Sequence, residues 1–270
     1  MHFGRLITGL ASALLAGVAS SGLALAESRD AWSDGRFGAS IGAMAIVAPK
    51  YEGSSDFRVI GAPFIAPSFS RGEGWIDVQG VDDVRLRLFR HGSFEAGPLA
   101  GWRFGREQED GPLLSGLGDV DGGLVVGGYM AYRLGVLKPY LSYHHQVTGN
   151  ATSGVLRLGS EATFQLSRNV ELIGTAGASY ADDNYMQAYF AITPQQAVAS
   201  TAGLAIYDAS AGFKDVFVGT TAKIALSELW TLRLSARYAR LIGEAADSPL
   251  VESENQWTAG IGVTYRLDLP

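Results

Sequence analysis

Leu156-Arg157-Leu158-Gly159-Ser160-Glu161-Ala162-Thr163-Phe164-Gln165-Leu166 alternates between two kinds of side chain. Leu156, Leu158, Ala162, Phe164 and Leu166 are apolar, whereas Arg157, Glu161, Thr163 and Gln165 are polar. A period of two sends successive side chains to opposite faces of a strand, so this segment asks for one apolar and one polar neighbourhood. It is about ten residues long, the length a tilted strand needs to cross a bilayer. Strands of soluble sheets average nearer five or six.

The same period returns along the chain. Leu232, Leu234, Ala236 and Tyr238 oppose Thr231, Arg233, Ser235 and Arg237. Val218, Ala222, Ile224 and Leu226 oppose Lys223, and Leu86 and Leu88 oppose Arg85 and Arg87. Segments 36–47, 93–105, 123–134, 137–148, 170–181 and 256–267 are strand-like, with glycines and aromatics interspersed. Many runs end in aromatics (Trp102, Phe104, Tyr129, Tyr132, Tyr180, Trp230, Tyr265), as rings at headgroup level would. Arginines on the polar faces (Arg157, Arg233, Arg237) are expected to line a polar lumen.

Connections supply a second test, because outer-membrane barrels pair short periplasmic turns with longer external loops. Arg71-Gly72-Glu73, His91-Gly92, Gly135-Val136, Ser167-Arg168-Asn169 and Ser227-Glu228-Leu229 read as tight turns. Segments 49–57, 106–122 and 243–255 read as long polar loops. Strict alternation from a periplasmic N-terminus puts these loops outside and makes 182–210 one external excursion, although Tyr185 to Ile192 locally resembles a strand. The expected fold is therefore all-β: a transmembrane antiparallel up-and-down barrel of about twelve strands, within ten to fourteen, with both termini periplasmic.

The first 26 residues read as a secretory signal peptide. His2 and Arg5 make a positive start, Leu6 to Leu25 is apolar or small, and Ala24-Leu25-Ala26 offers a small-residue site with cleavage after Ala26. A single barrel domain over 27–270 is expected to follow. Only 18% of the 270 residues are charged, against about 25% in an ordinary soluble domain. Thirty-five glycines and 10% aromatics suit a β-rich chain with one face in lipid. The formal charge of −6 and the lack of a basic run argue against nucleic acid. The absence of cysteine removes disulfides, thiolate nucleophiles and cysteine metal sites together.

Little in the chain carries catalytic chemistry. Gly38-Ala39-Ser40-Ile41-Gly42 matches the pattern of a hydrolase nucleophile, but it lies inside a predicted strand with no helix following. His144 and His145 are adjacent in a strand and point to opposite faces, so they cannot share one metal. Either could activate a serine in a lipid-modifying enzyme, yet no serine is paired with one in sequence. Asp82-Asp83, Asp182-Asp183 and Asp119-Val120-Asp121-Gly122 fall where turns are predicted and read as turn formers. Loop 106–122 gathers Glu107, Glu109, Asp110, Asp119 and Asp121 without cation-ligand spacing. No catalytic, metal or cofactor-binding residue is assigned, and the chain is expected not to be an enzyme.

Four blocks resemble the MipA/OmpV family of MltA-interacting outer-membrane proteins. Ala48-Pro49-Lys50-Tyr51-Glu52-Gly53-Ser54-Ser55-Asp56-Phe57-Arg58, followed by Pro63, resembles its first loop. Gly101-Trp102-Arg103-Phe104-Gly105-Arg106 and Leu114-Ser115-Gly116-Leu117-Gly118-Asp119-Val120 are similar to its second block. Glu244-Ala245-Ala246-Asp247-Ser248-Pro249-Leu250-Val251 is similar to the C-terminal block, and Tyr189-Phe190-Ala191-Ile192-Thr193 to an aromatic stretch. The resemblance implies an outer-membrane barrel in contact with membrane lipids. It further implies a scaffold that holds a lytic murein transglycosylase near a bifunctional peptidoglycan synthase, with solute permeation as the alternative. The motif residues Tyr51, Glu52, Gly53, Ser54, Asp56, Arg103, Gly105, Arg106, Gly116, Gly118, Asp119, Asp247, Ser248 and Pro249 are expected in external loops. Their turn chemistry favours a folded cap; a partner or ligand surface is the other reading.

Overall fold

The computed structural model describes residues 37–69 and 76–268. The expected signal peptide and the Arg71-Gly72-Glu73 turn lie outside the described residues. Strands β1 (Phe37–Pro49), β2 (Phe57–Phe69), β3 (Ile76–Gly80), β4 (Asp83–Leu86), β5 (Phe89–His91) and β6 (Phe94–Arg103) begin the sheet. It continues through β7 (Gly123–Tyr132), β8 (Leu137–Gln146), β9 (Gly154–Ser167), β10 (Val170–Ala181), β11 (Gly212–Ala225), β12 (Trp230–Leu241) and β13 (Asn255–Asp268).

All these strands belong to one antiparallel sheet in the order β2-β1-β13-β12-β11-β10-β9-β8-β7-β6-β4-β3, with β5 also on β6. Since β4 and β5 are two segments of one stave along β6, the thirteen segments make twelve staves. The chain is a twelve-stave, up-and-down antiparallel β-barrel. Among the described residues no helix is long and apolar enough to cross a membrane. The bilayer is crossed by strands, and those from β1 through β13 to β6 are hydrogen-bonded on both sides.

Alternation decides which face is wet. On β9, Leu158, Phe164 and Leu166 are 40%, 46% and 63% exposed, while Glu161 between them is 3% exposed. The other staves add exposed Ile41, Val126, Leu141, Val216, Val218, Leu234 and Ile261 to the same outer surface. So many exposed large apolar side chains in one band are stable only against lipid. Tyr132, Trp230, Tyr180 and Trp257 stand exposed near the two rims, as an interface belt requires. Tyr129 departs from that expectation. It points inward, is 7% exposed, and lies under the Arg85 guanidinium 5.2 Å from its ring centre.

Tight turns follow β5, β7, β9 and β11, while the links between β6 and β7, β10 and β11, and β12 and β13 are long. The excursion after β10 is helical where a local strand pattern could be read. Helix α1 (Asp183–Tyr189) is capped by Asp182, whose carboxylate accepts from Tyr185 N, and α2 (Pro194–Ala199) opens with a Thr193–Gln196 capping box. A single turn, α3 (Gly243–Ala246), follows β12.

Candidate functional site

Two assemblies occupy the barrel interior, one running down the lumen from the loop end and one closing that end. The first is a lumen network anchored on the β3–β4 hairpin. Asp82 and Asp83, read from sequence as turn formers, sit at this turn but direct their carboxylates inward. Arg157 on β9 makes two bonds to Asp82, at 3.1 and 2.6 Å. Arg85 on β4 makes two bonds to Asp83, both 2.9 Å, and reaches Glu161 of β9 at 3.3 Å. Lys138 on β8 lies 2.9 Å from Glu161 and 3.4 Å from Glu95 of β6. The Arg85 guanidinium is also held between the rings of Tyr129 and Tyr140. A buried charge is tolerable only when it is paired, and each member of this network has an opposite charge within 4 Å.

Within the network lies a serine–histidine pair that the sequence did not disclose. Ser142 Oγ is 2.9 Å from His144 Nε2, and His144 Nδ1 is 3.0 Å from the Asp82 carbonyl. A carbonyl only accepts, so Nδ1 carries the proton and Nε2 accepts from the serine hydroxyl. The pair has the donor–acceptor order of a nucleophile and its base. However, Ser142 is 1% and His144 0% exposed, enclosed by the hairpin and the β8 wall. His145 points to the other face beside Tyr143.

The second assembly is a cap made by the long loops. Its apolar centre joins Tyr185, Met186, Tyr189 and Phe190 to Ala181, Leu241 and Ala245; a neighbouring cluster joins Tyr51, Leu114, Leu117, Ile192 and Leu250. Tyr185 donates to Glu52 Oε2 at 2.6 Å, and Lys214 of β11 bonds both Glu52 and Asp215. Asp215 in turn accepts from Ser179 of β10 at 2.8 Å. Glu52 thus latches the first loop to α1 and to the barrel wall. Ser248 donates to the Phe190 carbonyl at 2.6 Å, tying the last long loop to the same centre.

The motif residues divide between this centre and its rim. Tyr51, Ser54, Arg103, Arg106 and Ser248 are buried. Arg106 donates to the Tyr189 carbonyl at 3.2 Å, and burial holds its guanidinium below the usual value. Arg103 donates to Ser153 and lies 5.0 Å over the Tyr185 ring. Gly53 adopts φ +99°, and a Cβ there would come 2.7 Å from Val251. At Gly116, φ +89° and an approach of 2.1 Å to the Ala199 carbonyl exclude a side chain. A Cβ on Gly105 would meet the Val120 carbonyl, and Asp119 caps Gln108 N at 2.8 Å. Asp56 pairs with Lys50 at the surface, while Gly118 and Asp247 are exposed and Pro249 is half-buried. Burial raises the tyrosine hydroxyls of the cap, with Glu52 adding to the rise at Tyr185; Tyr189 is pushed up to about 12.

A wide-mouthed cleft of about 590 Å³ lies on the outer side of the cap between Lys50, Asp56 and the Gln108–Asp110 turn. Among the described residues no group of three His, Cys, Asp or Glu side chains is placed to hold a metal ion.

The family model for MltA-interacting protein MipA matches residues 41–267, covering the membrane staves and every loop of the cap. The chain belongs to the MipA family. Relatives of this MipA-family barrel carry outer-membrane names. Omp26La of Vibrio anguillarum is 32% identical over 96 residues, 36% of each chain. OmpV of Vibrio cholerae is 32% identical over 95 residues, 35% of each. The putative outer membrane protein YiaT of Escherichia coli K12 is 31% identical over 136 residues, 46% of this chain and 54% of that one. The chain thus spans between about a third and a half of the relatives it matches. Among solved structures it is similar in fold to the NanC porin, with TM-score 0.39 and 8% identity over 85% of this chain and 98% of that one. It is similar also to Ail of Yersinia pestis, with TM-score 0.28 and 10% identity over 86% and 98%.

Proposed function

We propose that this MipA-family barrel is a non-enzymatic scaffold that gathers murein-processing enzymes at the inner face of the outer membrane. One observation carries the reading: the barrel's interior at the loop end is occupied by its own side chains. The cap centre is buried and latched through Glu52 and Lys214, and the charges beneath it are paired with one another. Such a barrel offers partners its rims rather than its bore. The buried Ser142–His144 pair supports a structural role for those residues, because a base needs its substrate within hydrogen-bond reach. The family description names interaction with MltA. A lytic murein transglycosylase is accordingly the first partner class, and a bifunctional peptidoglycan synthase the second.

A partner in the periplasm would meet the tight-turn end, where Arg133 and Arg168 are exposed beside Leu134 and Val136. In-cell cross-linking followed by mass spectrometry tests the scaffold. A transglycosylase or synthase should be recovered with the native barrel and lost when Arg133 and Arg168 are both changed to Glu. Recovery of neither enzyme class, or equal recovery with the turn variant, would reject this reading.

A solute pore is the second reading, favoured by one observation. The β12 wall presents Arg233 and Arg237, both half-buried, toward a lumen face rich in glycine. Planar-bilayer recordings of the purified protein test it: discrete conductance steps support a pore, and a silent bilayer removes it.

A further inference from the structure

We propose that the β12 side of the lumen is an anion-binding wall on which Arg237 and Arg233 hold the carboxylate or phosphate group of a small solute. This deepens the pore reading by naming a ligand class, but the site itself rests on side-chain geometry.

The inward cations of this barrel fall into two sets. Arg85, Lys138, Arg157, Lys214 and Lys223 each have a carboxylate within 4 Å. Among the described residues Arg103, Arg233 and Arg237 have none, but Arg103 is closed off in the cap, where it donates to Ser153. Arg233 donates to the Val78 carbonyl at 2.6 Å, across the lumen on β3. Arg237 donates to no described residue. Instead its guanidinium lies 4.0 Å over the Phe217 ring. Stacking on a ring leaves the N–H edge of the guanidinium open, and that planar fork matches a carboxylate or phosphate.

Small and polar residues flank the two arginines. Arg237 is registered with Gly219 on one side and Thr258 on the other, and Arg233 with Gly262. Ser235 lies between the two arginines and is exposed. The arginines are four residues apart, about 14 Å along the strand, so they form two successive stations rather than one chelate. Lys223, beside Arg233 on β11, adds positive charge but is engaged by Glu171 at 3.0 Å. Asp215 and Asp82 lie within electrostatic range of Arg237, yet they bond Lys214 and Arg157 instead. A guanidinium whose nearest carboxylates are already bonded to other cations attracts a mobile anion.

Two measurements on the purified, detergent-folded protein test the inference and separate it from the pore. In the first, inorganic phosphate is titrated at constant ionic strength while loss of the folded band on heating is followed by electrophoresis. Saturable stabilisation is expected, weakened about ten-fold or more in apparent affinity by R237Q with R233Q. In the second, the reversal potential is read across a bilayer in a potassium chloride gradient, and anion preference should fall in the same double variant. Saturable, arginine-dependent stabilisation with a silent bilayer would keep the anion wall and remove the pore. Conductance without anion preference, together with no phosphate effect, would keep the pore and overturn the wall. Stabilisation of equal affinity in the double variant would also overturn it.

Discussion

The two sides of the lumen are built from strands of the same kind, and they solve the same electrostatic problem differently. From β4 to β9, inward charges of both signs are interlocked: Arg85 with Asp83 and Glu161, Lys138 with Glu161 and Glu95, and Arg157 with Asp82. From β11 to β13, the inward row is dominated by glycine, threonine and serine, with Arg233 and Arg237 set in it. One side interlocks its charges; the other holds two arginines with no carboxylate within 4 Å among the described residues. A polar lumen is therefore not one environment. Where carboxylates face arginines, the charges become structure. Where glycines face them, the charges remain available to something else.

Replacement of Arg85 by Met should give the largest effect, because it takes both guanidinium bonds from buried Asp83 and leaves Glu161 with Lys138 alone. We expect a loss of about 3–5 kcal/mol, read as a fall in the temperature at which the folded band disappears on electrophoresis. Lys214→Met comes next. It uncouples Glu52 and Asp215, and should cost on the order of 2–3 kcal/mol because Glu52 keeps its bond to Tyr185. The same variant should expose the 182–211 loop to protease, and an unchanged digestion pattern would show that the latch does not hold the cap.

Ser248→Ala leaves the buried Phe190 carbonyl without its hydroxyl and should cost about 1–2 kcal/mol. Arg237→Gln should cost under about 1 kcal/mol, the worth of its ring contact, since no buried carboxylate is left behind. A loss at Arg237 as large as that at Arg85 would erase the difference between the two walls. A separate test concerns pH and belongs to the cap. With the Tyr189 hydroxyl raised to about 12 from an ordinary value near 10, its neutral form is the one the fold favours. Its contribution is therefore complete below about pH 10 and is lost as pH rises toward 12. Ultraviolet titration of the native barrel against Tyr189→Phe should show one late-ionising tyrosine disappear.

Much of the barrel is legible along the chain because a strand between lipid and lumen must alternate. Leu158, Phe164 and Leu166 against Arg157 and Glu161 specify both face and register, and the structure gives each the predicted side. The tight turns after β7, β9 and β11 are legible through their Gly, Asn and Ser residues. Tyr129 shows the limit of pattern. It ends an aromatic-rich run as an interface ring would, yet its position places it under Arg85 from β4, one stave beyond its neighbour β6. Asp82 and Asp83 show another. Turn chemistry explains why they occur between β3 and β4, but not that their carboxylates meet Arg157 and Arg85.

Local sequence thus determined the strands, their lipid and lumen faces, the order of turns and loops, and the family to which the blocks belong. Each of these follows from short-range rules: a period of two, the residues a turn tolerates, and the length of a membrane crossing. Tertiary structure alone decided which charges neutralise one another, that Ser142 meets His144, and that Glu52 joins a loop, a helix and a wall. Those contacts link residues as far apart as Glu52 and Lys214, whose separation is set by how the sheet curls. Distance along the chain carries no information about them.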